Sequence, residues 1–152
     1  MVPTLILFAF AADQMSKAWA LDYLAQNGSG QINVWFTITE TYNRGIAFGL
    51  LQGVGPVVGW LSIGLLVIML LWIRQTPREM WLFRMGMALV VGGALGNLVD
   101  RIVVGQVLDF IQSPIRPGVF NVADVMIHIG LFLSLVGAFW QKPHEELDFG
   151  VE

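Results

Sequence analysis

Two Asn-x-x-Asp units, Asn97-Leu98-Val99-Asp100 and Asn121-Val122-Ala123-Asp124, each lie against a long apolar run. Asp109 sits between them in Val107-Leu108-Asp109-Phe110, and Asp13 lies inside the first apolar run. An ionised group at membrane depth costs about 2.5–3.5 kcal/mol on insertion scales. Acids retained there point to use. Three-residue spacing puts Asn97 and Asp100 on one helix face, with Arg101 beside it, and Asn121 with Asp124 repeats the pattern. If the two helices are neighbours, the units can face each other, and Asp109 can fold back onto them. Two carboxylates held close cannot both ionise readily, so the pair shares a proton. The ionised member can activate a water while the protonated one polarises a carbonyl. That is peptide hydrolysis without nucleophile or metal. The asparagines can orient the acids or a substrate backbone, and Arg101 can hold Asp100 as a structural ion pair.

Composition fits a membrane protein. Of 152 residues 56% are hydrophobic and only 12% charged, against about 25% charged in soluble domains. One domain is expected, spanning 1–152. The net charge of −3 gives no basic stripe for nucleic acid. No cysteine is present, which excludes disulfides, thiolate metal sites and a cysteine nucleophile. The only histidines, His128 and His144, are far apart in sequence, so no metal site is expected.

The elements that must position these residues are four transmembrane helices, expected near 2–24, 55–73, 81–99 and 122–140. The first is interrupted by Asp13, Gln14, Ser16 and Lys17. Ala9-Phe10-Ala11 could suggest a cleaved signal, but the preceding run is short and lacks a basic start. Arg74, Arg78, Arg84 and Lys142 fall on one side, with Arg44, Arg101 and Arg116 on the other. This bias favours cytoplasmic termini. Residues 25–54 and 100–121 are then outer segments, and 141–152 a polar tail. Ile32, Val34, Phe36 and Ile38 alternate with polar or aromatic neighbours, which reads as a strand in a small outer β-sheet. Pro114 and Pro117 prevent a long helix in the second outer segment. The expected fold is an all-α membrane bundle of four helices with a small sheet on its outer face.

Other features have plainer readings. Asp13 and Lys17, four apart, can neutralise each other, and Ser16 points about 100° away from Lys17, which disfavours a Ser–Lys dyad. Gly92-x-x-x-Gly96 suits close helix approach. Trp19, Trp72, Trp81 and Trp140 suit interfacial anchoring.

In this arrangement the chain resembles the lipoprotein signal peptidases (signal peptidase II). The resemblance rests on Asp13-Gln14-Met15-Ser16-Lys17, Asn43-Arg44-Gly45-Ile46-Ala47-Phe48-Gly49, Gly92 to Arg101, Val107 to Phe110, and Phe120-Asn121-Val122-Ala123-Asp124. It implies an aspartic endopeptidase of the bacterial inner membrane, with its site toward the periplasm. Such enzymes remove the signal peptide from diacylglyceryl-modified prolipoproteins, just before the lipidated cysteine. The implied catalytic pair is Asp109 and Asp124. Asn97, Asp100, Arg101 and Asn121 match supporting positions, and Asp13, Lys17 and Asn43 match further positions near the site. Spacing alone leaves Asp100 as an alternative partner for Asp124. No cofactor is implied; membrane lipids surround the substrate, globomycin is the expected inhibitor, and a monomer suffices. The family often has a small polar residue where this chain has Val125, and His128 follows one turn after Asp124, where it could tune that acid or simply pack. The alternatives from other classes are a small transporter or proton channel, whose acids would lie at several depths, and a non-catalytic scaffold.

Overall fold

A computed structural model describes residues 1–44 and 55–141, with side chains of the second stretch from Trp60 onward. Residues 45–54 and 142–152, including the 45–49 part of the second motif, Lys142 and His144, lie outside them. The chain runs α1 (Val2–Asn27), β1 (Gly30–Asn33), β2 (Phe36–Asn43), α2 (Gly55–Gln75), α3 (Trp81–Val103), β3 (Val107–Ser113), β4 (Arg116–Phe120) and α4 (Val122–Trp140). It is mostly helical with one antiparallel sheet, in strand order β1-β2-β3-β4.

The apolar runs make the helices, and polar side chains mark their ends. Pro3 sits in the first turn of α1, where its missing N–H costs nothing. The Gln141 Oε1 accepts the Leu82 N–H at 2.8 Å, capping the start of α3 from the end of α4. Asn121 caps α4 by accepting the Asp124 N–H at 2.9 Å. That bond satisfies a backbone donor that a helix start otherwise leaves unpaired.

α3 is the hub, packed on α1, α2 and α4. Its Phe83, Met87, Val90, Val91 and Leu98 form a core with Leu66, Met69 and Ile73 of α2. Where α3 meets α1 and α4, the backbones come together. A Cβ added at Gly92 would stand 2.6 Å from the Ile6 carbonyl oxygen of α1, and one at Gly96 would enter the Asp13 carboxylate. A Cβ at Gly130 of α4 would lie 2.5 Å from the Gly86 carbonyl oxygen of α3. The Gly92-x-x-x-Gly96 stripe is therefore the α1 contact of α3.

Two sequence expectations change and a third takes definite form. Residues 32–38 are not one strand: the chain reverses at Val34-Trp35, and β1 pairs back on β2. The cause is Asn33, whose Oδ1 accepts the N–H groups of Trp35 at 2.8 Å and Phe36 at 3.0 Å, an Asx-type turn. The second outer segment is a hairpin, β3–β4, with Pro114 in its turn and Pro117 on the edge strand, where proline removes no ladder bond. Helix α3 does not stop at 99 but continues to Val103, so Asp100 and Arg101 belong to it; Gly105 at φ 80 turns the chain after it. α1 and α2 likewise run on to Asn27 and Gln75.

Among the described residues, α3 and α4 are long and apolar enough to cross a membrane, and the apolar stretch Trp60–Gln75 is shorter. Leu61, Leu65, Ile68 and Leu71 of α2 and Leu131, Phe132, Leu135 and Phe139 of α4 face outward. Exposed apolar surface on this scale marks an interaction face.

The helix contacts yield a paired test. Gly130→Ala should lower the thermal transition of the detergent-purified protein, because the α3 backbone cannot yield; overpacking of this kind costs about 1–3 kcal/mol. Gly64→Ala, which meets nothing within 4 Å, should leave the transition unchanged or raise it, alanine being favoured over helical glycine by up to about 1 kcal/mol.

Candidate active site

One polar cluster joins the middle of α1, the end of α3 and the start of α4 to the sheet. Its base is Lys17, 5% exposed, whose Nζ lies 2.7 Å from Asp13 Oδ2 and 2.8 Å from Asp100 Oδ2. The first contact follows from i, i+4 spacing on α1; the second crosses to α3. Asp13 uses its other oxygen to accept the Ala123 N–H at 2.9 Å, at the start of α4. Asp100 also accepts the Leu108 N–H at 3.2 Å, which ties β3 down. One ammonium and two carboxylates thus join three helices and a strand.

Asn97 carries the network upward. Its Oδ1 accepts from Lys17 at 3.2 Å, and its Nδ2 donates to Asp124 Oδ1 at 3.2 Å. Asn121, fully buried, is the other link. Its Nδ2 donates to Asp109 Oδ1 at 2.7 Å and to Asn97 Oδ1 at 3.0 Å, while its Oδ1 accepts the Asp124 N–H. A single amide therefore holds the Asp109 carboxyl and the backbone of Asp124 together. Asn43 reaches Asp109 from the neighbouring strand, donating from Nδ2 to Oδ2 at 3.4 Å. The register Thr41↔Asp109 and Asn43↔Val107 puts these side chains on one face.

The Asp109 carboxyl is 4% exposed. Burial, reinforced by the charge of Asp124, pushes its pKa up to about 7, against smaller opposing effects from Asn43, Lys17 and Asn121. Asp109 therefore keeps a proton through most of the acidic range. Between the ordinary carboxylate value of 3.8 and about 7, the folded protein holds a proton that the unfolded chain has released. Stability from this group falls as pH rises through that window.

The structure brings Asp13, Lys17, Asn43, Asn97, Asp100, Arg101, Asp109, Asn121 and Asp124 into this one network. Two local readings gain detail. Asp100 is held by Lys17 from α1; the Arg101 guanidinium lies in the field of Asp109, Asp124 and Asp100, and its Nη1 donates to the Asn97 carbonyl at 3.2 Å. His128 is exposed, and its Nδ1 meets the Asp124 backbone carbonyl oxygen at 2.6 Å. The contact is with the main chain of its own helix, as i, i+4 geometry allows. Sequence reasoning missed Gln14, whose Nε2 lies 3.2 Å from both Asp13 Oδ2 and Asp100 Oδ1. Its signal was a polar side chain inside an apolar run, next to an acid.

Comparison with known proteins gives this geometry its context. The family model described as signal peptidase (SPase) II matches residues 5–140. The chain belongs to the signal peptidase II family. A lipoprotein signal peptidase of Shewanella halifaxensis is 36% identical over 97% of this chain and 91% of its own length. One of Shewanella loihica is 33% identical over 93% and 88%. A solved bacterial membrane enzyme, determined by the in meso method at 2.3 Å resolution, superposes with a TM-score of 0.78 at 26% identity, covering 96% of this chain and 93% of that one. A second, at 1.9 Å resolution, gives 0.76 at 25% identity. The protein is a bacterial membrane peptidase, and membership in this family replaces the transporter and scaffold readings.

The buried ion cluster sets a stability test. Lys17→Met leaves Asp13 and Asp100 buried without their ammonium, and should cost about 3–5 kcal/mol, read as a lowered thermal transition in detergent. Adding Asp13→Asn and Asp100→Asn should recover part of the loss. An unchanged transition in Lys17→Met would show that the ammonium is not the anchor.

Proposed function

We propose that this protein is an aspartic endopeptidase of the bacterial inner membrane that removes the signal peptide from diacylglyceryl-modified prolipoproteins, just before the lipidated cysteine. The observation that carries the reading is Asn121, which binds the Asp109 carboxyl and the Asp124 backbone at once. With the proton on Asp109, Asp124 is the member left to act as base. It takes a proton from water, and the water oxygen bonds to the scissile carbonyl carbon. The Asp109 O–H donates to the carbonyl oxygen as negative charge develops there. Collapse of the tetrahedral intermediate breaks the C–N bond, and the leaving amine takes up the proton held by Asp124. No cofactor enters. Asn97, Asp100, Asn121, Asp13 and Lys17 hold the pair; Asn43 and Arg101 adjoin it.

In this reading all four helices span the bilayer as one domain over 1–152. The termini are cytoplasmic, and the sheet and active site lie toward the periplasm. The outward apolar faces of α2 and α4 and the apolar interior of α3 support that placement. In α1, Asp13 and Lys17 are buried against each other, which lets a helix with charged residues sit among apolar ones. The diacylglyceryl chains of the substrate stay in the bilayer, so binding energy remote from the scissile bond positions it. Globomycin is expected to bind at the Asp109–Asp124 pair. A monomer suffices, because one chain supplies every group.

The test is cleavage of a diacylglyceryl-modified prolipoprotein by the detergent-purified protein, followed as the mass of the released signal peptide. Asp109→Asn and Asp124→Asn should each lose roughly 10²–10⁴-fold or more of the rate with an unchanged thermal transition. Asp100→Asn should lower the transition and retain measurable cleavage. Loss of cleavage in Asp100→Asn with survival in Asp109→Asn would move the pair to Asp100 and Asp124.

A further inference from the structure

The sheet carries a second feature, at the end away from the catalytic pair. The register of β1 with β2 and of β3 with β4 sends both hairpin turns to the same end. There Val34 is 73% exposed, Trp35 55% and Ile115 76%, with Ile32 and Phe36 also exposed beside them. The turns flank a shared cleft of about 310 Å³. Residues 28–39 contain no charged side chain, and 110–120 contain only Arg116. A hairpin turn in water normally shows polar residues; these show large apolar ones, one of them tryptophan.

The backbone of the turns is also prepared for a drier medium. The N–H groups of Trp35 and Phe36 are both taken by Asn33 Oδ1, and that of Ile115 by Ser113 Oγ at 3.3 Å. An unpaired donor moved into lipid costs several kcal/mol. Here those three are satisfied within the turns. Trp with neighbouring apolar side chains is the composition of a membrane interface. The cation Arg116, stacked 4.5 Å over the Phe120 ring, suits an anionic headgroup layer.

We infer that the paired hairpin tips, Val34-Trp35 and Ile115, insert into the headgroup–acyl boundary of the lipid bilayer. The sheet is then held at two places: by Asp100 and Asn121 at the catalytic end, and by lipid at the far end. This fixes the height of Asp109 above the bilayer.

Because the chain has no cysteine, Val34→Cys and Ile115→Cys each give a unique attachment point. Each would carry a nitrobenzoxadiazole label in lipid nanodiscs containing phosphatidylglycerol, beside Glu40→Cys as a water-facing control. Nitroxide-bearing phospholipids should quench the labels at 34 and 115 at least about twofold more than the label at 40, and aqueous iodide should show the reverse order. A thermal transition equal to that of the unlabelled protein qualifies each variant, and either tip position is sufficient. Iodide quenching at 34 and 115 matching that at 40 overturns the inference, as does shielding from both quenchers. The readout needs no substrate, so it stands or falls separately from the peptidase assignment.

Discussion

The structure depends on one buried ammonium. Lys17 sits between Asp13 of its own helix and Asp100 of α3, at 2.7 and 2.8 Å. Removing two carboxylates from water is costly unless a counter-charge and further donors meet them. Here Gln14 and the N–H groups of Ala123 and Leu108 supply those donors. Each donor comes from a different element, so charge compensation at one point fixes α1 against α3, α4 and the sheet. Gly96 exists as glycine because the Asp13 carboxylate occupies the space a side chain would need.

The Asp109–Asp124 pair rests directly on this base. Lys17 donates to the Asn97 oxygen, Asn97 donates to Asp124, and Asn121 ties Asn97 to Asp109. The amides spread the order of the ion cluster to the pair. Burial and the charge of Asp124 outweigh the amide donors, so Asp109 keeps a proton. The base is built for rigidity and the upper layer for a shared proton.

Much of this was legible in the chain. The apolar runs and the two Asn-x-x-Asp units locate α3, α4 and the acids, because helix periodicity is local. The i, i+4 pairing of Asp13 with Lys17 follows for the same reason. What sequence could not supply was partnership across elements. Nothing local says that Lys17 reaches Asp100, that Gln14 joins them, or that Asn43 of β2 lies beside Asp109 of β3. The single strand expected over 32–38 failed because alternation continues unbroken through Val34-Trp35. Only the side chain of Asn33, accepting two backbone donors, reverses the chain there. The choice between Asp100 and Asp109 as partner of Asp124 was likewise beyond spacing, and the position of Lys17 favours Asp109.

Asp109 holds a proton close to neutrality because it is buried beside Asp124. Difference infrared titration of wild type against Asp109→Asn, in detergent or nanodiscs, isolates the C=O stretch of that one protonated carboxyl. The band should persist through pH 6 and disappear around a midpoint of about 7, and in Asp124→Asn the midpoint should fall, because the neighbouring charge is gone. A band already lost near the ordinary carboxylate value of about 4, and unmoved by Asp124→Asn, would contradict the account.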